Sequence, residues 1–146
     1  MKKLVLILLI SIAILPVFAQ GADRILGLWF NGEKSSKIEI SQAEDGSYVG
    51  KIVWLKEPLD KAEKPKTDNK NPNKELRNRP LMELQVLSGL SYDGKGKYSG
   101  GRIYDPKSGK TYSAKAEMLN NNTLALRGFI GISLAGRTDT WIRTTN

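Results

Sequence analysis

The sequence predicts an all-β fold: about eight strands closed into an antiparallel up-and-down barrel, with one long polar loop. Three observations predict it. Apolar and polar residues alternate with period two through most of residues 25–143. Gly, Asn, Asp and Pro clusters punctuate the alternating runs at short intervals. No run carries the apolar spacing of a long amphipathic helix.

Residues 25–30 (ILGLWF) read as the first strand. Residues 36–42 alternate, with Ile38 and Ile40 on one face and Lys37 and Glu39 on the other. Asp45-Gly46 marks a turn, and residues 47–54 form a third strand close behind it, as in a meander. Residues 81–87 read as the fourth strand, although Met82 to Leu87 also fits a helix fragment. A glycine-rich turn then leads into residues 97–104. Asp105-Pro106-Lys107-Ser108-Gly109 is a turn by composition, since Pro fixes φ and Gly accepts a positive φ. In residues 110–118, Tyr112, Ala114, Ala116 and Met118 share one face while Thr111, Ser113, Lys115 and Glu117 share the other. Asn120-Asn121-Asn122 turns the chain, and residues 123–129 and 137–143 are the last two strands. Closure of such a sheet removes its exposed edges. An eight-stranded barrel is just wide enough to fill itself or to hold one small ligand.

Residues 55–80 interrupt this rhythm. The segment is rich in Pro and charge, lacks apolar periodicity, and reads as a long polar loop with a helical turn near residues 74–77. Loops of this length in a compact domain are usually functional or disordered.

The N-terminus has the three-part pattern of an export signal: Lys2-Lys3, an apolar run from Leu4 to Leu15, then Pro16 and Val17-Phe18-Ala19. Cleavage is expected after Ala19, leaving residues 20–146 as a single β-barrel domain without a transmembrane segment, periplasmic or secreted. The chain has no Cys, so disulfides and a lipoprotein anchor are excluded. It has no His either, which removes the commonest general base and the preferred zinc ligand. No catalytic residue set, metal site or cofactor is expected, and enzymatic activity is disfavoured. Lys and Arg number 23 against 15 Asp and Glu, a net charge of +8. That excess serves either solubility or contact with anionic lipid or polysaccharide. No nucleic-acid motif is present, and none is expected to be a partner.

The candidate binding residues are Asp68, Asn71, Arg77, Arg79, Trp54, Tyr104 and Arg127. If residues 77–79 are extended, Arg77 and Arg79 point the same way and can hold a carboxylate, phosphate or sulfate. The structural alternative pairs Asp68 with an arginine and makes Asn71-Pro72 an Asx turn that pins the loop. Tyr104 and Asp105 are either a binding edge or turn chemistry. Arg127 faces either solvent or lumen, and in the lumen Asp139 is its natural partner. Trp29, Trp54 and Trp141 either line a cavity or belong to the core, with Trp54 at the expected barrel mouth.

Several clusters together resemble a known family. They are Gly27-Leu28-Trp29, Asp68-x-x-Asn71-Pro72, Arg77-x-Arg79-Pro80-Leu81, and Gly100-Gly101-x-Ile103-Tyr104-Asp105-Pro106-x-Ser108-Gly109-Lys110-x-Tyr112. They continue with Leu126-Arg127-Gly128-Phe129-x-Gly131, then Gly136-Arg137 and Trp141-x-Arg143. This ordered set resembles the bacterial family of unknown function DUF2147, whose members the resemblance implies are small exported proteins. A Gly-x-Trp on the first strand with an Arg on the last is also similar to the closing arrangement of lipocalins. That resemblance implies Trp29 plugging one barrel end, with Arg137 or Arg143 stacked on its indole. The expected function is binding of a small anionic or amphipathic molecule, its head group on the loop arginines and its apolar part in the barrel. The alternative is an envelope interaction protein that uses its basic surface. The oligomeric state stays open.

Overall fold

A computed structural model describes residues 21–146. The expected signal segment, residues 1–19, lies outside the described residues. Eight strands run in sequence order around a closed antiparallel barrel. They are β1 (Gly27–Phe30), β2 (Ser36–Gln42), β3 (Tyr48–Leu55), β4 (Gln85–Gly94), β5 (Lys97–Asp105), β6 (Lys110–Asn120), β7 (Thr123–Phe129) and β8 (Arg137–Thr144). The last strand pairs with the first, matching Trp29 with Arg143 and Phe30 with Ile142.

Alternation places one face of every strand inward. Ile38 and Ile40 of β2, Ala114, Ala116 and Met118 of β6, and Leu124 and Leu126 of β7 are all buried, as the period-two reading requires. Trp29, Leu87, Leu90 and Tyr98 complete the filling, so the barrel interior holds a packed core. Each fully buried large apolar side chain of this kind stabilises the fold by roughly 1.5–3 kcal/mol. Gly101 lacks the Cβ that would strike the Leu90 side chain, which is how Leu90 fits against β5.

One end of the barrel is sealed. A 3-10 turn over Asp23–Ile25 crosses it. Tyr98 donates its hydroxyl proton to the Ala22 carbonyl at 2.6 Å, and Tyr48 donates to Asp23 at 3.1 Å. The Tyr48 and Tyr98 rings meet edge-to-face, 5.5 Å apart. Burial pushes both phenols up to about 12, with Asp23 adding to the effect at Tyr48. The folded state therefore keeps protons that the unfolded chain releases near the ordinary value of 10.0. This contribution to stability is complete below pH 10 and is lost as the pH rises to about 12. Chemical denaturation in alkaline buffers should show a falling unfolding free energy across that window. A flat profile would contradict the sealed-end assignment.

Two boundaries differ from the sequence expectation. The fourth strand takes up only Gln85 to Leu87 of the expected residues 81–87. Residues 81–84 form a turn with Glu83 at φ +65°, and Leu81 and Leu84 turn inward to pack against the core. The strand instead begins at Gln85 and continues to Gly94, through what reads as a loop. Gly89 and Gly100, at φ +69° and +73°, sit beside one another on β4 and β5 and absorb the distortion there.

The second difference is on β3. The register with β2 shifts between Lys37 and Ile38, so Ile38 pairs with Ile52 and Lys37 pairs with Trp54. This bulge carries Trp54 to the outer face. There it meets Phe30 edge-on at 5.8 Å, and the Lys37 ammonium lies over both rings. Trp54 is 37% exposed on the outside wall and does not line the mouth as expected.

Candidate functional site

The long polar segment is ordered by its own chemistry. Leu59 bridges Pro65, and Thr67 bridges Pro80. A 3-10 turn forms at Lys74–Leu76, capped by the Asn73 side chain on the Glu75 N–H. The Asn71 side-chain oxygen accepts from the Asn73 N–H at 2.8 Å, the Asx turn that Asn71-Pro72 implied.

Asp68 anchors the segment to the barrel. It is 0% exposed, and both of its oxygens are occupied. Oδ1 accepts the Tyr104 hydroxyl at 2.5 Å. Oδ2 accepts Asn71 Nδ2 at 2.7 Å, Arg79 Nε at 2.9 Å and Arg79 Nη2 at 2.8 Å. The Asp68 N–H donates to the Arg79 carbonyl at 2.9 Å, closing the ring. A buried carboxylate requires this degree of pairing. Burial, followed by the Asp68 hydrogen bond, pushes the Tyr104 phenol up to about 12, so it remains a donor at any physiological pH.

The anchor lies outside the barrel. Tyr104 pairs with Thr111 and shares its face with Arg102 and Ser88, whereas Ile103 pairs with Leu87 of the core. Residues 66–81 therefore lie against the outer wall of β5. The turn between β5 and β6 is tight against the same segment. Gly109 has φ +71°, and a Cβ there would overlap the Lys70 carbonyl oxygen.

Asp68, Asn71, Arg79 and Tyr104 come together as one cluster. Arg77 joins it from one side, donating Nε to the Asn71 carbonyl at 2.7 Å. Residues 77–79 are not extended, since Arg77 is helical at φ −67°, ψ −23°. The expected parallel Arg77–Arg79 pair is therefore replaced by two separate loop contacts. Arg127 does not join the cluster and does not pair with Asp139. It donates Nε to the Ser133 carbonyl, Nη2 to the Leu134 carbonyl and Nη1 to Thr138, fastening the β7–β8 connection. Asp139 instead accepts from the Gly32 N–H and Trp141 Nε1. Asp105 does turn chemistry, accepting from the Lys107 N–H and the Ser108 hydroxyl.

Beside the anchor is a groove of about 310 Å³, lined among others by Asn71, Arg79, Val86, Arg102, Tyr104 and Thr111. Arg79 commits Nε and Nη2 to Asp68 and is 37% exposed at its side chain. Arg102, from the outer face of β5, is exposed and makes no side-chain hydrogen bond or ion pair among the described residues. Two guanidiniums thus flank one groove, with Val86 and the Tyr104 ring supplying apolar surface. The sequence reading missed Arg102. Its signal was the parity it shares with Tyr104, two residues away on one strand. Among the described residues no group of acidic side chains is arranged to hold a metal ion, and no helix is long and apolar enough to cross a membrane.

At the sealed end, Arg143 rather than Arg137 takes the position over Trp29. Its guanidinium carbon is 4.2 Å from the indole centroid, and the side chain donates to the carbonyls of Arg24, Leu26 and Asn121. Trp29 Nε1 donates to the Ile25 carbonyl at 2.9 Å. A closed eight-stranded meander with this plug defines a lipocalin-like β-barrel. Protein HP1028 of Helicobacter pylori, described as belonging to the lipocalin family, has a similar solved structure. It is 29% identical, covers 83% of each chain and superposes with a TM-score of 0.72. The family described as "Uncharacterized protein conserved in bacteria (DUF2147)" matches residues 27–143, and the chain belongs to it. No curated protein matches the chain. The lipocalin-like fold suggests a small-molecule binding role.

Proposed function

We propose that this protein binds a small anionic or amphipathic molecule outside the cytoplasm, with its head group between Arg79 and Arg102 in the groove on the outer wall of β4–β6. One observation carries the reading: a groove of about 310 Å³ flanked by two arginines, one of them uncommitted, with an apolar wall beside them. That volume is at the lower end for small-ligand sites. Paired guanidinium contacts favour carboxylate, phosphate or sulfate. The packed core supports an outer site over one deep in the lumen. Asp68, Asn71, Arg77 and Tyr104 then hold the rim and orient Arg79, while Trp54 and Arg127 lie apart from the ligand.

Titration calorimetry with dodecyl phosphate tests this reading. Arg102→Ala is expected to weaken binding about tenfold or more, since a hydrogen bond to a charged group contributes roughly 1.5–3 kcal/mol. The fold should be unaffected, because Arg102 supports nothing else. Absent binding, or equal affinity in the wild type and Arg102→Ala, would reject the site.

A further inference from the structure

Between β7 and β8 the chain reads Phe129-Ile130-Gly131-Ile132-Ser133-Leu134-Ala135-Gly136, without a charged residue. Ile130, Ile132 and Leu134 are 70%, 68% and 87% exposed, more than any other large hydrophobic residue among those described. Single exposed aliphatics are ordinary, but three on one short connection form a patch that needs a partner. The connection is not loose. A 3-10 turn over Ser133–Ala135 shapes it. The Arg127 guanidinium holds it from below through the Ser133 carbonyl at 2.6 Å and the Leu134 carbonyl at 3.0 Å. Gly136 fits because a Cβ there would collide with the Gly128 carbonyl oxygen. The backbone is thus fixed with its aliphatic side chains pointing into solvent.

The charges around the tip decide its partner. Arg137 follows directly, is exposed, and its side chain makes no hydrogen bond or ion pair among the described residues. The nearby carboxylates bond elsewhere, Asp139 to Gly32 and Trp141 and Glu33 to Lys107 at 2.5 Å, although the Arg137 charge still reaches Glu33. The tip therefore presents three aliphatic side chains beside a cation without a bonded partner, on a chain that keeps 21 Lys and Arg against 15 Asp and Glu once Lys2 and Lys3 are set aside. A stable protein interface asks for roughly 800 Å² of fitted surface from each partner, built around aromatic and arginine anchors, whereas this eight-residue connection exposes three aliphatic side chains. An apolar wedge with a cationic collar matches the boundary between acyl chains and anionic head groups.

We propose that the β7–β8 tip docks the protein on an anionic phospholipid bilayer, with Ile130, Ile132 and Leu134 among the acyl chains and Arg137 at the phosphates. The inference stands apart from the ligand groove, none of whose lining residues named above lies on the tip.

The chain has no cysteine, so Leu134→Cys gives a unique site for a polarity-sensitive fluorophore. The labelled full chain is mixed with vesicles of phosphatidylethanolamine and phosphatidylglycerol, or of phosphatidylcholine alone. Emission should shift to the blue with the anionic vesicles only. In unlabelled protein, Ile130→Ser with Ile132→Ser should lower partitioning to the anionic vesicles about a hundredfold, roughly tenfold per side chain. Arg137→Ala should lower it about fivefold. All these side chains are exposed, so an unchanged thermal midpoint confirms folding. Wild type and variants share the same N-terminus, so their difference reports the tip alone. Unchanged emission, or equal partitioning of wild type and the double variant, would overturn the proposal. Equal binding to both vesicle types would remove the anionic surface as the partner. Self-association lost in the double variant, without vesicle binding, would assign the tip to a second copy of the chain.

Discussion

Trp29→Ala is expected to destabilise the barrel by about 3–5 kcal/mol, the usual cost of removing a large aromatic side chain from a core. Trp29 is completely buried, and three separate features depend on it. Its indole fills the sealed end, its N–H satisfies the Ile25 carbonyl, and its face supports the Arg143 guanidinium at 4.2 Å. Arg143 in turn joins the last strand to the N-terminal turn through the Arg24 and Leu26 carbonyls. Burial lowers the Arg143 pKa from its ordinary value, as expected for a cation drawn into the wall. Arg143→Lys should therefore also destabilise, though less, because an ammonium cannot stack flat and reach three carbonyls together. Urea denaturation followed by fluorescence from Trp54 and Trp141 checks both variants. A loss below about 1 kcal/mol for Trp29→Ala would mean that the plug is not what closes the barrel.

Asp68→Ala is expected to cost about 3 kcal/mol and to release the long segment. Removing one member of a buried, hydrogen-bonded pair leaves the others desolvated and unmatched, which typically costs 3–5 kcal/mol. The lower end applies because the Arg79 side chain is 37% exposed and can regain water. Tyr104→Phe removes the bond donated to Asp68 Oδ1 and the longer one accepted from Asn71 Nδ2 at 3.3 Å, and should cost about 2 kcal/mol, since Arg79 and Asn71 still hold Asp68 Oδ2. Limited proteolysis separates the two: Asp68→Ala should be cut within residues 56–82, and Tyr104→Phe should be protected. If Asp68→Ala resists cleavage like the wild type, the anchor does not hold the segment.

The legible parts of the fold were those where local chemistry admits one solution. The β6 alternation, the Asx turn at Asn71-Pro72 and the Trp–Arg plug all follow from residue types at fixed spacing. The plug was legible only as a choice between Arg137 and Arg143, because register selects the arginine opposite Trp29. The misplaced parts hinge on bulges and on the route of the long segment. One extra residue on β3 moves Trp54 to the outer wall, and period-two reading cannot anticipate such an insertion. The cluster of Asp68, Asn71, Arg79 and Tyr104 was named residue by residue. Its position outside the barrel was not, because nothing local says on which side of β5 the segment returns. Arg102 was overlooked for the same reason, since its value comes from facing Arg79 across a groove that only the folded segment creates.

This lipocalin-like barrel is proposed to carry an anionic or amphipathic molecule on its outer arginine groove. Native mass spectrometry of the protein isolated from bacterial cells tests it most directly. An added mass of one small molecule with an acidic group is expected in the wild type, reduced or absent in Arg102→Ala. A bare protein mass that dodecyl phosphate does not change, or an added mass that Arg102→Ala retains in full, would contradict it.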